Sequence, residues 1–418
     1  MIIGLMRDKD LYQTLLGLAD PWFVERVELA LPKQQVHVWV AHGEHGWLCP
    51  ECEKSCPLYD HAEERTWRHL DTMQYTTLLH ARAPRVSCEE HGVRQVRVPW
   101  SEPKARFTIL FEAFAITVLQ AVGVAGARRI LGVSWEEAWA IQNRAVRRGL
   151  ARKEAKVPEL IGIDEKAYRR GQDSFMTVVS DLEAGTVEWI GNDRRSETLM
   201  EYFQQFPNAQ LEQIRGIAMD MWKGYKLAIR TTVPNAERKM IYDRFHVMKD
   251  FNTAVDVVRK RESRSLSADN DQRLKGTRYL WLRSRENVPR KHRRWFASLK
   301  RASLKTARAW AIKEQLRHLW EFQSEARAIR FWKSWFFWAT HSRLYPVIRA
   351  AKKLQRHAAA LLNYFRCRIT NAQAEAINSR IETIKRLARG YRNLEHFKTA
   401  ILFHCGGLEL QPSTHGKP

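Results

Sequence analysis

At 418 residues with 44% hydrophobic content, the chain exceeds a single small core and has a globular composition, so about two to four domains are expected. Its 70 Lys and Arg against 46 acids leave a net charge of +24, which excludes a neutral or acidic surface and points to a polyanionic partner, nucleic acid before anionic membrane. The stretch Met1 to Leu18 carries acids and no long apolar core, so no secretory leader is expected.

Residues 1–100 read as short strands around a metal knuckle. The runs from Val24 to Leu31 and from Gln34 to Val40 roughly alternate and are joined at Pro32 and Lys33, which predicts a β-hairpin. Cys49-Pro-Glu-Cys52 and Cys88-Glu-Glu-His91 follow. Two pairs at this spacing match a tetrahedral Zn²⁺ site of the Cys₃His kind. Cys56 is a competing ligand, and His61, His69 and His80 are weaker ones. A closed four-ligand site leaves no open position for chemistry, so the zinc is assigned a structural role. Ribbon strands are expected at Trp67 to Asp71 and Val96 to Trp100. Arg65, Arg68, Arg82 and Arg85 make the module basic enough to grip phosphates.

Residues 101–155 read as helical. Phe107 to Leu119 has helical apolar spacing, Gly123 to Gly126 breaks it, and Ala127 to Gly132 resumes it. The apolar run from Phe107 nearly reaches the length of a membrane span, but Glu112 interrupts it, so a buried helix of a soluble domain is expected and no membrane contact. Ser134 and Glu137 form a capping box that starts a helix running to Arg148. Helix, short turn, capped helix is a helix-turn-helix pattern, and Gln142, Asn143, Arg144, Arg147 and Arg148 are candidate readers of base edges.

Residues 156–262 alternate strands and helices. Leu160-Ile-Gly-Ile-Asp164-Glu165 is an apolar run ending in an acid, expected as a strand with the acid at its tip. Strands are also expected at Asp173 to Asp181 and at Thr186 to Ile190. A helix from Arg195 to Phe206 follows, then a fourth strand ending at Asp220. A helix from Tyr225 to Thr231, a strand from Arg238 to Asp243 and a helix from Phe245 to Arg261 complete the series. This order is that of the ribonuclease-H-like fold, in which the first and fourth strands are neighbours, so Asp164 and Asp220 meet. Carboxylates on rigid strand tips suit Mg²⁺, which prefers oxygen ligands. His246 stands after the fifth strand, as a positioning group near a phosphate or as a packed residue with Asp243 capping the helix.

Residues 263–365 contain nothing that reads as strand. Dense Arg and Lys and tryptophans from Trp281 to Trp338 predict several packed helices, with the tryptophans mostly in their core. In residues 366–410, Ile369 to Arg386 reads as one helix capped by Thr370 or Asn371. Glu375, Asn378 and Glu382 share a face by the i, i+3, i+7 rule, with Lys385 and Arg386 a turn on. A carboxylate for metal beside an amide and basic groups for phosphate fits a DNA-handling helix, with Glu382 the rival of Glu375. Leu394 to Phe403 is a closing helix, and residues 411–418 are expected to be a disordered tail.

Together these marks resemble bacterial insertion-sequence transposases of the ISL-three type, DDE enzymes with a zinc knuckle at the front. The resemblance rests on the two ligand pairs, Trp67-Arg-His-Leu-Asp71, Gly162-Ile-Asp164-Glu165, Met219-Asp220-Met-Trp222, Asp243-Arg-Phe-His246, Asn371 with Glu375 and Asn378, and Gly390-Tyr391-Arg392-Asn393. They span nearly the whole chain in one order. One departure is Ala376, where relatives commonly carry Gly. The resemblance implies an α+β multidomain chain: zinc ribbon, helix-turn-helix, and a ribonuclease-H-like catalytic core interrupted by an all-helical insertion. It implies Asp164, Asp220 and Glu375 as a catalytic triad holding two Mg²⁺ (or Mn²⁺) ions, with recognition of terminal inverted repeats by the front domains. It further implies cytoplasmic, nucleoid-associated action on double-stranded DNA by a homodimer or higher assembly. The rival expectations are a non-catalytic DNA-binding regulator and a structure-specific nuclease of the same fold.

Overall fold

A computed structural model gives the fold and describes residues 7–43, 46–169, 174–242, 244–369 and 372–413. The expectations for Asp173, Asp243, Thr370, Asn371 and residues 414–418 lie outside the described residues. The chain divides into two compact units, Met1–Lys153 with Leu408–Pro418, and Glu154–Gly407.

The first unit begins with helix α1 (Asp8–Leu15) and a series of short strands: β1 (Trp22–Ala30), β2 (Gln35–His42), β3 (Trp47–Leu48), β4 (Ser55–Cys56), β5 (Leu58–His61), β6 (Arg65–Arg68), β7 (Thr76–Ala81), β8 (Pro84–Cys88) and β9 (Gly92–Gln95). The expected hairpin is β1 with β2, antiparallel from Trp22 opposite His42 to Ala30 opposite Gln35. These strands extend to a four-stranded sheet in the order β1-β2-β7-β6, beside sheets β3-β4 and β5-β8-β9. Alternation turns Val36, Val38 and Val40 inward, where they meet Leu79 and Trp67. The strand expected at Val96 to Trp100 is a correction: β9 ends at Gln95, and the last bond to β8 runs from the Val96 N–H to the Pro84 carbonyl at 2.9 Å. Pro99 has no N–H to give a ladder, and Trp100 turns into the core, edge-on to Trp22 and Trp67 at 5.0 and 5.6 Å between centroids.

Two helices complete this unit, α2 (Ile109–Leu131) and α3 (Trp135–Arg152). The break expected near Gly123 is real: its φ of 67° and ψ of 174° leave the helical region, so α2 is two helical pieces meeting at a kink. Gly132, at φ 65°, ends α2 in the left-handed region. The capping box also forms, with the Glu137 N–H donating to Ser134 Oγ at 3.1 Å and the Ser134 N–H to Glu137 Oε2 at 2.8 Å. Helix α2 is long and apolar enough to cross a membrane by length and composition. It is less buried than the sequence suggests, with Phe114, Val122 and Ile130 47%, 48% and 60% exposed.

The second unit opens with strands β10 (Leu160–Ala167), β11 (Phe175–Asp181) and β12 (Thr186–Ile190). Helices α4 (Ser196–Phe203) and α5 (Asn208–Glu212), strand β13 (Gly216–Met219), helices α6 (Lys223–Thr232) and α7 (Ala236–Lys239) and strand β14 (Met240–Tyr242) follow. The sheet order is β12-β11-β10-β13-β14. Strands β10, β11 and β12 form an antiparallel meander, while β13 joins β10 in parallel and β14 joins β13 in parallel. Parallel neighbours need a crossover, which the helices supply. The short α5 and α7 carry no apolar periodicity long enough to be seen in the sequence.

From Arg244 to Cys367 the described residues contain helices and no strand: α8 (Arg244–Ala268), α9 (Arg278–Leu282), α10 (Arg293–Arg301), α11 (Lys305–Arg317), α12 (Glu325–Thr340), α13 (Tyr345–Gln355), α14 (Ala358–Leu362) and α15 (Tyr364–Cys367). Trp281, Trp310, Trp320, Trp332 and Trp335 lie in their shared core, whereas Trp295 and Trp338 are 42% and 39% exposed. Lys313 is buried there and donates to the carbonyls of Trp281, Leu282 and Arg283 at 3.1–3.2 Å, closing the end of α9. Burial pulls its pKa down to about 8. Helices α16 (Ala372–Leu387) and α17 (Leu394–Cys405) follow. Ile377, Ile381, Phe397 and Ile401 pack on Met176, Val178 and Val187, which lays α16 across one sheet face.

Candidate active site and metal centre

Strands β10 and β13 run in parallel register, Leu160 opposite Gly216 through Ile163 opposite Met219. The next residue on each is an acid, Asp164 and Asp220, so the two carboxylates leave the sheet at the same height. Ile161 and Ile163 enter the core on one face. Alternation therefore sends Gly162 and Asp164 to the other, the face covered by α16. There Gly162, Asp164, Ser180, Ala218, Asp220, His246, Ala374 and Asn378 line a cavity of ≈ 40 Å³. Gly162 is required at its floor: a Cβ would stand 2.6 Å from Ser180 Oγ and 2.8 Å from Leu182 Cδ2.

Asp164 is held by three donors. Asn378 Nδ2 lies 2.8 Å and Lys166 Nζ 2.9 Å from Oδ2, and the Glu165 N–H donates to Oδ1 at 2.8 Å. Asp220 Oδ1 accepts the Met221 N–H and faces His246 Nδ1 at 3.6 Å. A carboxylate offers about four acceptor positions, so both acids keep capacity for a hard cation. The two carboxylates fixed on strand ends are oxygen donors of the kind Mg²⁺ takes, while Asn378 and His246 stand against the carboxylates themselves.

The sequence-predicted residues do not all arrive together. Asp164, Asp220, His246 and Asn378 share the cavity. Glu375 is exposed on α16, beside Ala374 but not itself lining the cavity, and Glu382 is exposed too. Lys385 donates to the Ala167 carbonyl, and Arg386 is exposed. Two basic groups were missed. Lys166 lies two residues past Asp164 on the same strand face, a relation that period-two alternation could have revealed. Arg194 pairs with Glu165 at 3.3 Å and lies over Phe175 and Trp222 at 4.6 and 5.0 Å, a tertiary contact with no sequence signal.

In the first unit, Cys49, Cys52, Cys88 and His91 place their ligand atoms within 4.8 Å of one another. Cys52 and Cys88 sulfurs are 3.7 Å apart, and Cys88 Sγ lies 3.6 Å from His91 Nδ1. Tetrahedral zinc with Zn–S of about 2.3 Å sets sulfurs about 3.8 Å apart, so the quartet has the spacing of a structural Zn²⁺ site. The His91 backbone N–H holds the Cys88 thiol down to about 7, toward the thiolate that zinc requires. Cys56 stands aside, buried, with its thiol directed to the Lys54 carbonyl at 3.4 Å and its pKa raised by burial.

The structure places the residues expected at phosphates or base edges in different surroundings. Glu112 in α2 is 2% exposed. Arg144 Nη2 meets it at 2.7 Å and Arg148 Nη2 at 2.8 Å, and Arg148 also pairs bidentately with Glu102. A buried carboxylate demands this pairing, so both arginines are spent inside the fold. Gln142 is buried at 3% exposure and cannot reach a base edge. Asn143 is half-buried and Arg147 exposed. Arg68 pairs with Asp71, while Arg65 bonds the Ala105 carbonyl and lies over Trp67 at 4.8 Å. Arg85 pairs with Asp60, and Arg82 is exposed.

Family models of known proteins match three successive parts of the chain between residues 45 and 401. A family model described as a transposase matches residues 161–401. One described as the zinc-finger of transposase IS204/IS1001/IS1096/IS1165 matches residues 45–91, and one for the helix-turn-helix domain of transposase family ISL3 matches residues 96–146. The transposase for insertion sequence element IS1001 of Bordetella parapertussis is 29% identical over 397 residues, covering 94% of this chain and 97% of the relative. The transposase for insertion sequence element IS1557 of Mycobacterium tuberculosis is 26% identical over 400 residues, covering 88% of each.

Proposed function

This chain belongs to the transposase family ISL3, and from that premise we propose that it binds the terminal inverted repeats of an insertion sequence and cuts and joins DNA at Asp164, Asp220 and Glu375. The observation that carries the reading is the pair of acids at matched height on adjacent parallel strands, both lining one polar cavity. The sheet order, three antiparallel strands and then two parallel ones, supports a ribonuclease-H-like core in residues 156–262 and 366–410 around a helical insertion at 263–365.

Asp164 and Asp220 would hold the ions. Glu375 would complete the set from α16, where it stands roughly 60° around the helix from Asn378, which already touches Asp164. The chemistry supplied by two bound Mg²⁺ ions, or Mn²⁺ in their place, is activation of the attacking oxygen and stabilisation of the leaving one. Asn378 fixes the orientation of the Asp164 carboxylate, and His246 orients Asp220 or donates toward a phosphate oxygen. Most of the barrier is lowered by positioning and preorganised charge. The zinc ribbon (1–100) and helix-turn-helix (101–155) would recognise the end repeats, with Arg147 and Asn143 the groups left to face DNA. Two ends must be held, which requires a homodimer or higher assembly acting in the cytoplasm on nucleoid DNA.

The test is Asp164→Asn. Binding to end-repeat DNA is expected to survive while Mg²⁺-dependent cleavage and joining disappear; retained cleavage overturns the reading. Cleavage by the wild-type chain without strand joining assigns a nuclease of the same fold instead.

A further inference from the structure

Helix α12 has two sharply different sides. Trp332, Trp335 and Ala339 are buried. The opposite side carries Arg327, Arg330, Ser334, Phe337, Trp338 and His341, all exposed. At about 100° per residue these six fall within one third of the helix circumference. Phe337 is 62% exposed and stacks on His341 with centroids 3.9 Å apart, and Trp338 beside them is 39% exposed. The surrounding sequence is one-signed: from Ala326 to Ala374 there are ten Lys and Arg and no Asp or Glu. Large aromatics exposed side by side on one helix face, flanked by guanidiniums, mark an interaction site.

We propose that this face binds DNA bearing unpaired nucleotides, with Arg327 and Arg330 on the phosphates and Phe337, His341 and Trp338 as a stacking platform for bases. Charge selects the occupant. Arg327, Arg330 and Lys333 on α12 are all exposed and match a polyanion, and a second copy of this chain would bring like charge against like. The aromatics select the form: ring faces in duplex DNA are stacked away, whereas unpaired bases offer them. Arg327 to His341 spans about 21 Å of helix, long enough to follow several nucleotides of one strand. The proposal deepens the transposase reading, because cutting at an element end exposes unpaired nucleotides.

The experiment uses the full-length chain with Asp164→Asn to prevent cutting. Fluorescence anisotropy compares an end-repeat duplex with the same duplex carrying a single-stranded tail. Phe337→Ala with Trp338→Ala is expected to cost roughly 5- to 150-fold on the tailed probe and little on the blunt one, the range for losing one stacked base. Arg327→Ala with Arg330→Ala is expected to weaken tailed-probe binding and to flatten its salt dependence by about two counterions. Unchanged binding of both probes by both variants overturns the proposal. So does a loss of self-association, by sedimentation, in the aromatic variant without a change in tail affinity, which makes the face a protein contact. Failure of the wild-type chain to bind either probe would instead remove the transposase reading on which the proposal rests.

Discussion

Replacing Arg148 by alanine tests whether helix α3 presents its arginines to DNA or uses them to hold the first unit together. The Arg148 side chain is 9% exposed and the Glu112 side chain 3%. Arg148 makes two bonds of 2.8 Å to Glu102 and one of 2.8 Å to Glu112, and another to the Leu410 carbonyl. Truncation leaves Glu112 buried with only Arg144. Because Arg144 still compensates the Glu112 charge, the loss is that of hydrogen bonds to charged groups, about 1.5–3 kcal/mol, rather than that of an orphaned ion. For a unit of this size, about 2–4 °C of melting temperature goes with each kcal/mol, so a drop of roughly 3–12 °C is expected. Heat-induced release of zinc, read with a chromogenic chelator, reports this unit separately from the other. Arg147→Ala, on an exposed side chain of the same helix, is expected to leave the melt in place and to lower the salt dependence of DNA binding by about one counterion. Arg148→Ala melting like the wild type while losing DNA affinity would refute the assignment and return Arg148 to the DNA surface.

Cys88→Ser is expected to abolish zinc retention measured by metal analysis, and Cys56→Ser to leave it intact; the reverse pattern would put Cys56 in the site. His69 is buried and bonds Thr108 Oγ1 at 2.8 Å, and burial holds its pKa down to about 4 against the ordinary 6.5. The unfolded chain therefore takes up this proton first, so stability present above pH 6.5 is lost as pH falls toward 4, by about 3 kcal/mol at most. Denaturant melts across that window should steepen for the wild type relative to His69→Asn, and parallel curves would discount burial as the cause. Lys166→Met removes an ammonium 2.9 Å from Asp164 Oδ2. Divalent-ion affinity, by calorimetry, should tighten roughly five- to tenfold, about 1–1.4 kcal/mol of relieved competition; weaker binding would make Lys166 a support of the site rather than a competitor.

Much of the sheet was legible because each strand announces itself locally. Leu160 to Asp164 and Gly216 to Asp220 are apolar runs closed by an acid, and the parallel register of β10 with β13 sets those acids side by side. The Cys and His pairs were legible because a knuckle fixes its own ligand spacing, and the capping box because it is written in Ser134 and Glu137. Polar residues on amphipathic helices were not legible. Nothing in the spacing of Gln142, Arg144 and Arg148 tells a DNA-facing side from one turned toward a buried Glu112 some thirty residues away. The error at Trp100 has a similar origin: alternation continues past Gln95, but tertiary packing on Trp22 and Trp67 ends the strand. Lys166 was not legible as a site residue because a lone lysine two positions past an acid is ordinary at a strand end, and only the fold shows its ammonium on Asp164.

The central claim is that Asp164, Asp220 and Glu375 act as one divalent-cation site. Titration of the full-length protein with Mn²⁺, followed by electron paramagnetic resonance of the free ion, measures this without any reaction. The account predicts saturable binding that Asp164→Asn, Asp220→Asn and Glu375→Gln each weaken by tenfold or more, with zinc content unchanged. Equal Mn²⁺ affinity in the wild type and all three variants would contradict it.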